Sequence, residues 1–204
     1  MNYRKDHPKE SKQFIDRLEI YKKTVLPRIK AQTKQNFDIA VLCDRKNAQI
    51  FKDMGIIPFH TKDGYAGHYT DVWHFNTPWE NIEGLKKYDI QTVVLSDDLI
   101  SEKYIEKIEE VIEQNKEGDK SIHIQFQPRL YNLETGQEKA MSLRYSNGFS
   151  SPMYSIYQPG EKYYFIHHDS HTVMPKYFDK SFLIGEGYCW LTAHSGSLSI
   201  TMST

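Results

Sequence analysis

Asp97 and Asp98 are the residues of this chain best suited to chemistry: two adjacent carboxylates that end the apolar run of Gln91–Ser101, QTVVLSDDLIS. Neighbouring carboxylates repel unless something positive joins them, and a hard divalent cation carrying phosphate oxygens is the usual solution. The competing account is a solvated turn whose acids favour the N-terminus of the next helix. A second cluster, His167, His168, Asp169 and His171, has the ligand types of a transition-metal site. The Cys/His spacing of structural zinc is absent, which argues against a dedicated zinc site. Neither a Ser-His-Asp pattern nor a phosphate loop is present, because Gly64 and Gly67 lie far from any strand-to-helix turn of that type.

The elements around the acid pair would present it to a ligand. Thr92, Val93, Val94 and Leu95 form a short β-branched run that predicts a fully buried, parallel strand, and Ser96 breaks it. Ser101 is a candidate cap for a helix whose apolar residues Tyr104, Ile105, Ile108, Val111 and Ile112 fall at helical spacing. The acids are thus expected between strand and helix, outside the carboxyl end of a strand, where open α/β sheets bind ligands.

Upstream, Phe14, Leu18, Tyr21 and Val25 predict a long amphipathic helix from about Ser11, kinked or restarted at Pro27. Phe37–Cys43 reads as the first strand, with Asp44 and Arg45 at its carboxyl end. A helix near Asn47–Met54 stops at Gly55, and Pro58 limits a short strand at Ile56–Phe59. Thr61–Asn76 holds Tyr65, His68, Tyr69 and Trp73 without a sustained period, the character of an aromatic loop that covers a ligand. Thr77, Pro78 and Glu80 make a capping box for a helix running to about Lys87. Beyond Lys120 the pattern turns to strands: a hairpin of Ser121–Tyr131 and Gln137–Tyr145 about Glu134–Gly136, then Tyr154–Tyr157, Tyr163–Ile166 and Tyr188–Ala193.

A chain of 204 residues fits one domain with one substantial core. The formal charge of -1 gives no electrostatic case for nonspecific nucleic-acid or membrane binding. No segment has the roughly 18 apolar residues of a membrane span, and the polar start MNYRKDHPKESKQ is no signal peptide. Cys43 and Cys189 each lie in an apolar run, so both are expected as buried free thiols, in keeping with a reducing cytoplasm.

Arg17–Asp44, RLEIYKKTVLPRIKAQTKQNFDIAVLCD, contains a proline, a Gln-Thr pair, an Asn-Phe pair and a hydrophobic strand ending in aspartate. This order resembles the opening helix and second strand of GT-A-fold glycosyltransferases. Within that fold the chain is similar, along nearly its whole length, to a rhamnosyltransferase family. That family's Asp-Asn-Asp-Asp motif falls on Leu95-Ser96-Asp97-Asp98, with Leu99-Ile100 as its following apolar pair. Asn147–Ser150 and the His171 region resemble its middle segments. CWLTAHSGS, Cys189–Ser197, resembles its closing Trp-to-His-Gly motif, with Ser197 where the family has Asn.

The resemblance implies an α/β protein of GT-A type, a single domain over 1–204, with a nucleotide- and metal-binding half over 1–118 and an acceptor half over 119–204. It implies metal-dependent transfer of a sugar from a nucleotide-sugar donor to a saccharide or other hydroxyl acceptor, with Mn²⁺ or Mg²⁺ neutralising the diphosphate leaving group. On that match Asp97, Asp98 and His194 hold the metal and diphosphate, Asp98 being the favoured direct ligand. Asp44 and Arg45 meet the nucleoside, and Tyr65 belongs to the loop over the donor. Arg4 matches the end of the family's first strand, which closes on Thr-Arg-Phe-Asn, so the sheet is expected to lack that strand. An inverting transfer also needs a base for the acceptor hydroxyl, and Asp169 and Glu186 are the candidates. Two other readings stand beside this one. One is transfer to a modified base in DNA, as in phage-type glycosyltransferases, which the near-neutral charge does not indicate. The other is a noncatalytic sugar- or nucleotide-binding module, motivated by Leu95 in place of the first acid and by the missing strand.

Overall fold

The computed structural model describes residues 12–61, 82–83, 88–141, 153–160 and 174–193. Its architecture is mixed α/β, with three sheets and few helices among the described residues.

The N-terminal helix follows the predicted stripe: Phe14, Leu18, Tyr21 and Val25 are all buried. It has three parts, α1 (Lys12–Ile20), a π-helical turn (Tyr21–Val25) and α2 (Leu26–Lys30). Pro27 explains the widened turn, since it donates no N–H and its ring crowds the carbonyl four residues back. The N–H of Leu26 accordingly reaches past the α-helical partner to the carbonyl of Tyr21. The Thr24 hydroxyl takes up the carbonyl of Ile20.

Strands β1 (Ala40–Leu42) and β2 (Ile57–Thr61) pair in parallel, and β3 (Ile82–Glu83) pairs antiparallel with β2. Between β1 and β2, a 3₁₀ turn at Arg45–Asn47 leads into α3 (Ala48–Lys52). Gly55, at φ +73°, reverses the chain after α3 in a conformation that an L side chain rarely adopts. The helix expected from Thr77 to about Lys87 meets strand β3 instead at Ile82–Glu83: pairing with β2 overrides the local helix signal. The rest of that segment lies outside the described residues, as do the aromatic loop and Tyr163–Ile166.

The second sheet has the order β10-β6-β9-β4, made of β4 (Ile90–Val93), β6 (Ile122–Phe126), β9 (Tyr154–Tyr157) and β10 (Lys180–Ile184). The third has the order β5-β11-β7-β8, made of β5 (Leu99–Ile100), β7 (Arg129–Asn132), β8 (Glu138–Ala140) and β11 (Cys189–Ala193). The predicted hairpin is β7–β8. Asn132 Oδ1 accepts the N–H groups of Glu134 and Thr135, and Gly136 supplies the positive φ. Its partner strands differ from the expectation: β6 and β7 are split by Gln127-Pro128 and join different sheets.

Helix α4 (Tyr104–Asn115) buries Tyr104, Ile108, Val111 and Ile112 against Ile122, Ile124 and Phe126 of β6, forming the main core. The opposite face of β6 carries His123 and Gln125, which are buried beside Tyr154 and Ile156 of β9. A second core joins α1, the π turn and α2 to Cys43, Ala48, Phe51 and Ile56. Ile29 and Val94 pack against both cores. Cys43 and Cys189 are buried thiols that form no disulfide among the described residues. No helix among the described residues is long and apolar enough to cross a membrane.

Candidate functional site

The acid pair sits at a corner where the chain leaves one sheet and enters another. β4 is a half-buried strand bonded antiparallel to β9, which corrects the expectation of a fully buried parallel strand. After it, Val94 and Leu95 turn inward, and the Asp98 N–H closes a turn on the Leu95 carbonyl at 3.4 Å. β5 follows at once, pairing Leu99 with Trp190 and Ile100 with Cys189. The acids therefore lie between two strands rather than at a helix start. The helix-dipole account of them fails on this geometry, since α4 begins only at Tyr104.

Asp98 replaces a rung of the ladder. Just before β5 begins, its Oδ1 accepts the N–H of Thr192 on β11 at 2.7 Å. The Thr192 hydroxyl donates to the main-chain carbonyl of Asp97. The Asp98 side chain is buried, and burial, reinforced by the like charge of Asp97, pushes its carboxyl up to about 8. The Thr192 N–H and the Arg17 guanidinium pull the other way but do not prevail. Asp97 is the more accessible of the two: its side chain is 15% exposed, and its Oδ2 stands 3.6 Å from an Arg17 guanidinium nitrogen. That distance is an ion pair but too long for a hydrogen bond. The Nε–H of Arg17 is buried and has no partner among the described residues.

The loop beyond β5 is held from the N-terminal helix. Gln32 Nε2 donates to the carbonyls of Ser101 at 2.7 Å and Arg28 at 3.0 Å, and Gln32 Oε1 accepts the Ile105 N–H at 3.0 Å. This caps α4 from 73 residues away. Ser101, the expected cap, makes no side-chain bond to the helix; it offers its carbonyl to the Tyr104 N–H. Next along the chain, the Thr33 hydroxyl donates to Glu106 and the Asn36 side chain to Glu109, both on α4. The Gln-Thr and Asn-Phe pairs of the resemblance thus begin with residues that clamp α2 to α4.

Asp44 and Arg45 stand at the carboxyl end of β1, in the first sheet. The Asp44 carbonyl accepts the Asn47 N–H, and Arg45 Nε donates to Nε2 of the buried His60 on β2 at 3.1 Å. Glu186 lies in the turn before β11 and is exposed. Its carboxylate takes Arg129 at 3.0 Å and Gln127 at 3.1 Å, and Arg129 also meets Glu138. Thr192 lies at the other end of β11, and the stretch from Cys189 to Thr192 alone spans roughly 10 Å. The structure does not bring Glu186 to the acid pair. Arg4, Tyr65, Asp169 and His194 lie outside the described residues; His194 directly follows Ala193, the last residue of β11.

Among the described residues no group of three or more His, Cys, Asp or Glu is gathered for a metal. A Mg²⁺-like cation does not require one, since it takes one or two carboxylates and fills its remaining positions with substrate phosphates and water. Asp97 fits that donor set. Asp98 fits it less well, because burial favours its neutral form and Oδ1 is committed to Thr192.

Arg17, Gln32 and Thr192 are the site residues that pattern reading missed. Arg17 left a signal, a charge on the apolar stripe between Phe14 and Leu18. Thr192 left none inside CWLTA. No family model, curated protein or solved structure matches the chain.

Proposed function

We propose that the chain is a metal-dependent glycosyltransferase of the GT-A type, moving a sugar, on the resemblance a deoxyhexose such as rhamnose, from a nucleotide donor to a hydroxyl acceptor. One observation carries the reading. The three segments that hold the resemblance, Arg17–Asp44, Leu95–Ile100 and Cys189–Ala193, converge on one turn: Arg17 meets Asp97, Gln32 meets Ser101, and Thr192 meets both acids. This meeting of segments some 70 to 95 residues apart is what supports the reading.

In this reading each residue has a task. A bound cation would neutralise the charge that develops on the leaving diphosphate. Asp97 presents the accessible carboxylate oxygen for it, which reverses the preference for Asp98. Asp98 holds the Thr192 N–H and so fixes the end of β11, from which the chain runs directly to His194. Gln32 fixes the chain on the other side of β5. Asp44 and Arg45 remain the nucleoside residues, with His60 orienting the guanidinium. Asp169 remains the candidate base, while Glu186 is engaged by Arg129 and Gln127. A second reading, a noncatalytic nucleotide-binding module, draws on Arg17, which supplies the positive charge that the acid pair needs.

The test is thermal unfolding of the purified protein with a panel of nucleoside diphosphates, with and without Mn²⁺. A ligand that binds the native state alone raises the apparent Tm by mass action. A shift that needs both metal and one nucleotide supports the transferase reading and names the base; no shift with any nucleotide contradicts it. Release of sugar from the matching nucleotide-sugar separates an enzyme from a binding module.

A further inference from the structure

The third sheet has a face that the function above leaves unused. Strand pairing sets Trp190 of β11 beside Leu99 of β5 and Arg129 of β7, and sets Thr192 of β11 beside Tyr131 of β7, itself beside Glu138 of β8. Residues paired across strands share a face, as do residues two apart along one strand. The alternate residues Ile100, Leu130, Cys189 and Leu191 belong to the main core, so Trp190, Tyr131 and Arg129 stand on the side turned away from it. Thr192, on that same side, is buried, with its hydroxyl bonded to the Asp97 carbonyl. The face therefore starts at the acid turn and crosses β11 and β7 to the exposed strand β8.

Two kinds of group meet on it. Trp190 and Tyr131 are partly exposed, and neither belongs to an apolar core cluster among the described residues. They are diagonal neighbours, roughly 8 Å apart between Cα atoms from strand spacing and rise, a separation that two linked sugar rings can cover. Beside them Arg129 is held by Glu138 at 3.2 Å and by Glu186 at 3.0 Å, and Gln127 donates to Glu186 at 3.1 Å. An aromatic face is negative and attracts the polarised C–H groups of a sugar ring, while fixed guanidinium donors and carboxylate acceptors match hydroxyls, which both donate and accept. Charge selects among stacking ligands. One guanidinium against two carboxylates leaves this patch net negative, which disfavours the phosphates of a nucleotide or nucleic acid and the carboxylate of an acidic sugar.

We propose that this outer face of the third sheet is a saccharide platform, on which an uncharged oligosaccharide stacks against Trp190 and Tyr131 and hydrogen-bonds to Arg129, Glu138 and Glu186. The inference deepens the transferase reading and rests on it for one point, that the saccharide is the acceptor. Thr192 joins the platform to the acid turn, so a saccharide lying along it brings one end toward Asp97.

The experiment is saturation-transfer-difference NMR on the full chain, without metal or nucleotide, with maltose, cellobiose, diacetylchitobiose and the acidic digalacturonic acid each at millimolar concentration. At least one neutral disaccharide is expected to receive saturation, strongest at its ring C–H protons, and digalacturonic acid none. Trp190→Ala is expected to weaken that binding about tenfold, and Tyr131→Ala by less. If Trp190→Ala does not fold, Tyr131→Ala and the indole emission decide: the disaccharide is expected to change the emission of wild type and leave that of Trp190→Phe unmoved. No transfer to any of the four sugars, strongest transfer to digalacturonic acid, or equal transfer in wild type and both ring variants overturns the proposal. Saccharide binding without any nucleotide response upholds the platform and removes the transferase reading, whereas a nucleotide response without saccharide binding removes the platform alone.

Discussion

Two polar clusters bracket the short strand β5, and they are built in opposite ways. After it, Gln32 is buried with its side-chain oxygen and amide all engaged, joining α2, Ser101 and the first turn of α4. Before it, Asp98 is buried with its carboxyl pushed up to about 8, and Arg17 faces Asp97 without a hydrogen bond. A saturated network holds a fold rigid, whereas the longer Arg17–Asp97 pair leaves the Arg17 Nε–H with no partner among the described residues. The contrast separates scaffold from site within a few residues of chain.

The largest expected effect lies on the scaffold side. Gln32→Ala strands the Ile105 N–H and the Arg28 carbonyl and removes one of two bonds to the Ser101 carbonyl, a loss of about 2–4 kcal/mol of unfolding free energy. Urea denaturation measures it, and a loss below about 1 kcal/mol would break the comparison by showing that the clamp is dispensable.

A smaller effect, with a distinctive pH signature, lies on the site side. Because burial raises Asp98 from 3.8 to about 8, the folded protein holds a proton there that the unfolded chain has released. This contribution to stability is full below about pH 4 and is lost progressively as pH rises to about 8. Asp98→Asn keeps an oxygen for Thr192 and carries no charge, so it should flatten that stretch of the stability curve and leave the protein more stable than wild type at pH 8. Parallel wild-type and variant curves in urea would show that Asp98 is ionised in the fold.

The smallest effect is at Glu186. Its pairing with Arg129 is a surface ion pair, worth about 0.5 kcal/mol or less. Glu186→Gln is expected to leave both stability and nucleotide response within error. A lost nucleotide response would place Glu186 in the site and redraw its boundary.

Much of this division was legible in the chain. The stripe Phe14–Val25 and the α4 stripe follow from periodicity, because each buries one apolar face and its spacing records which face, and β9 follows from its short apolar run. Asp97 and Asp98 stood out as a charge pair that an apolar run had no reason to end on. What periodicity could not carry was pairing. β4 looked central and parallel from its β-branched run, yet that composition only says that side chains pack on a pleated surface, and its one partner among the described residues is β9, antiparallel. β5 is two residues long, too short for any period, and it displaced the acids from the helix start. The bonds from Gln32 to Ser101 and from Thr192 to the acids join positions 69 and 94 to 95 residues apart. Local patterns hold no information at that range.

The measurement that tests the account most directly is the shift in Tm given by Mn²⁺ with the nucleoside diphosphate that stabilises wild type, compared in Asp97→Ala and Gln32→Ala. The account predicts a double dissociation. Asp97→Ala keeps a near-native Tm and loses the shift, whereas Gln32→Ala melts earlier and keeps it. An Asp97→Ala protein that still gains the full shift would contradict the central claim, and the ligand would have to bind elsewhere than at the acid turn.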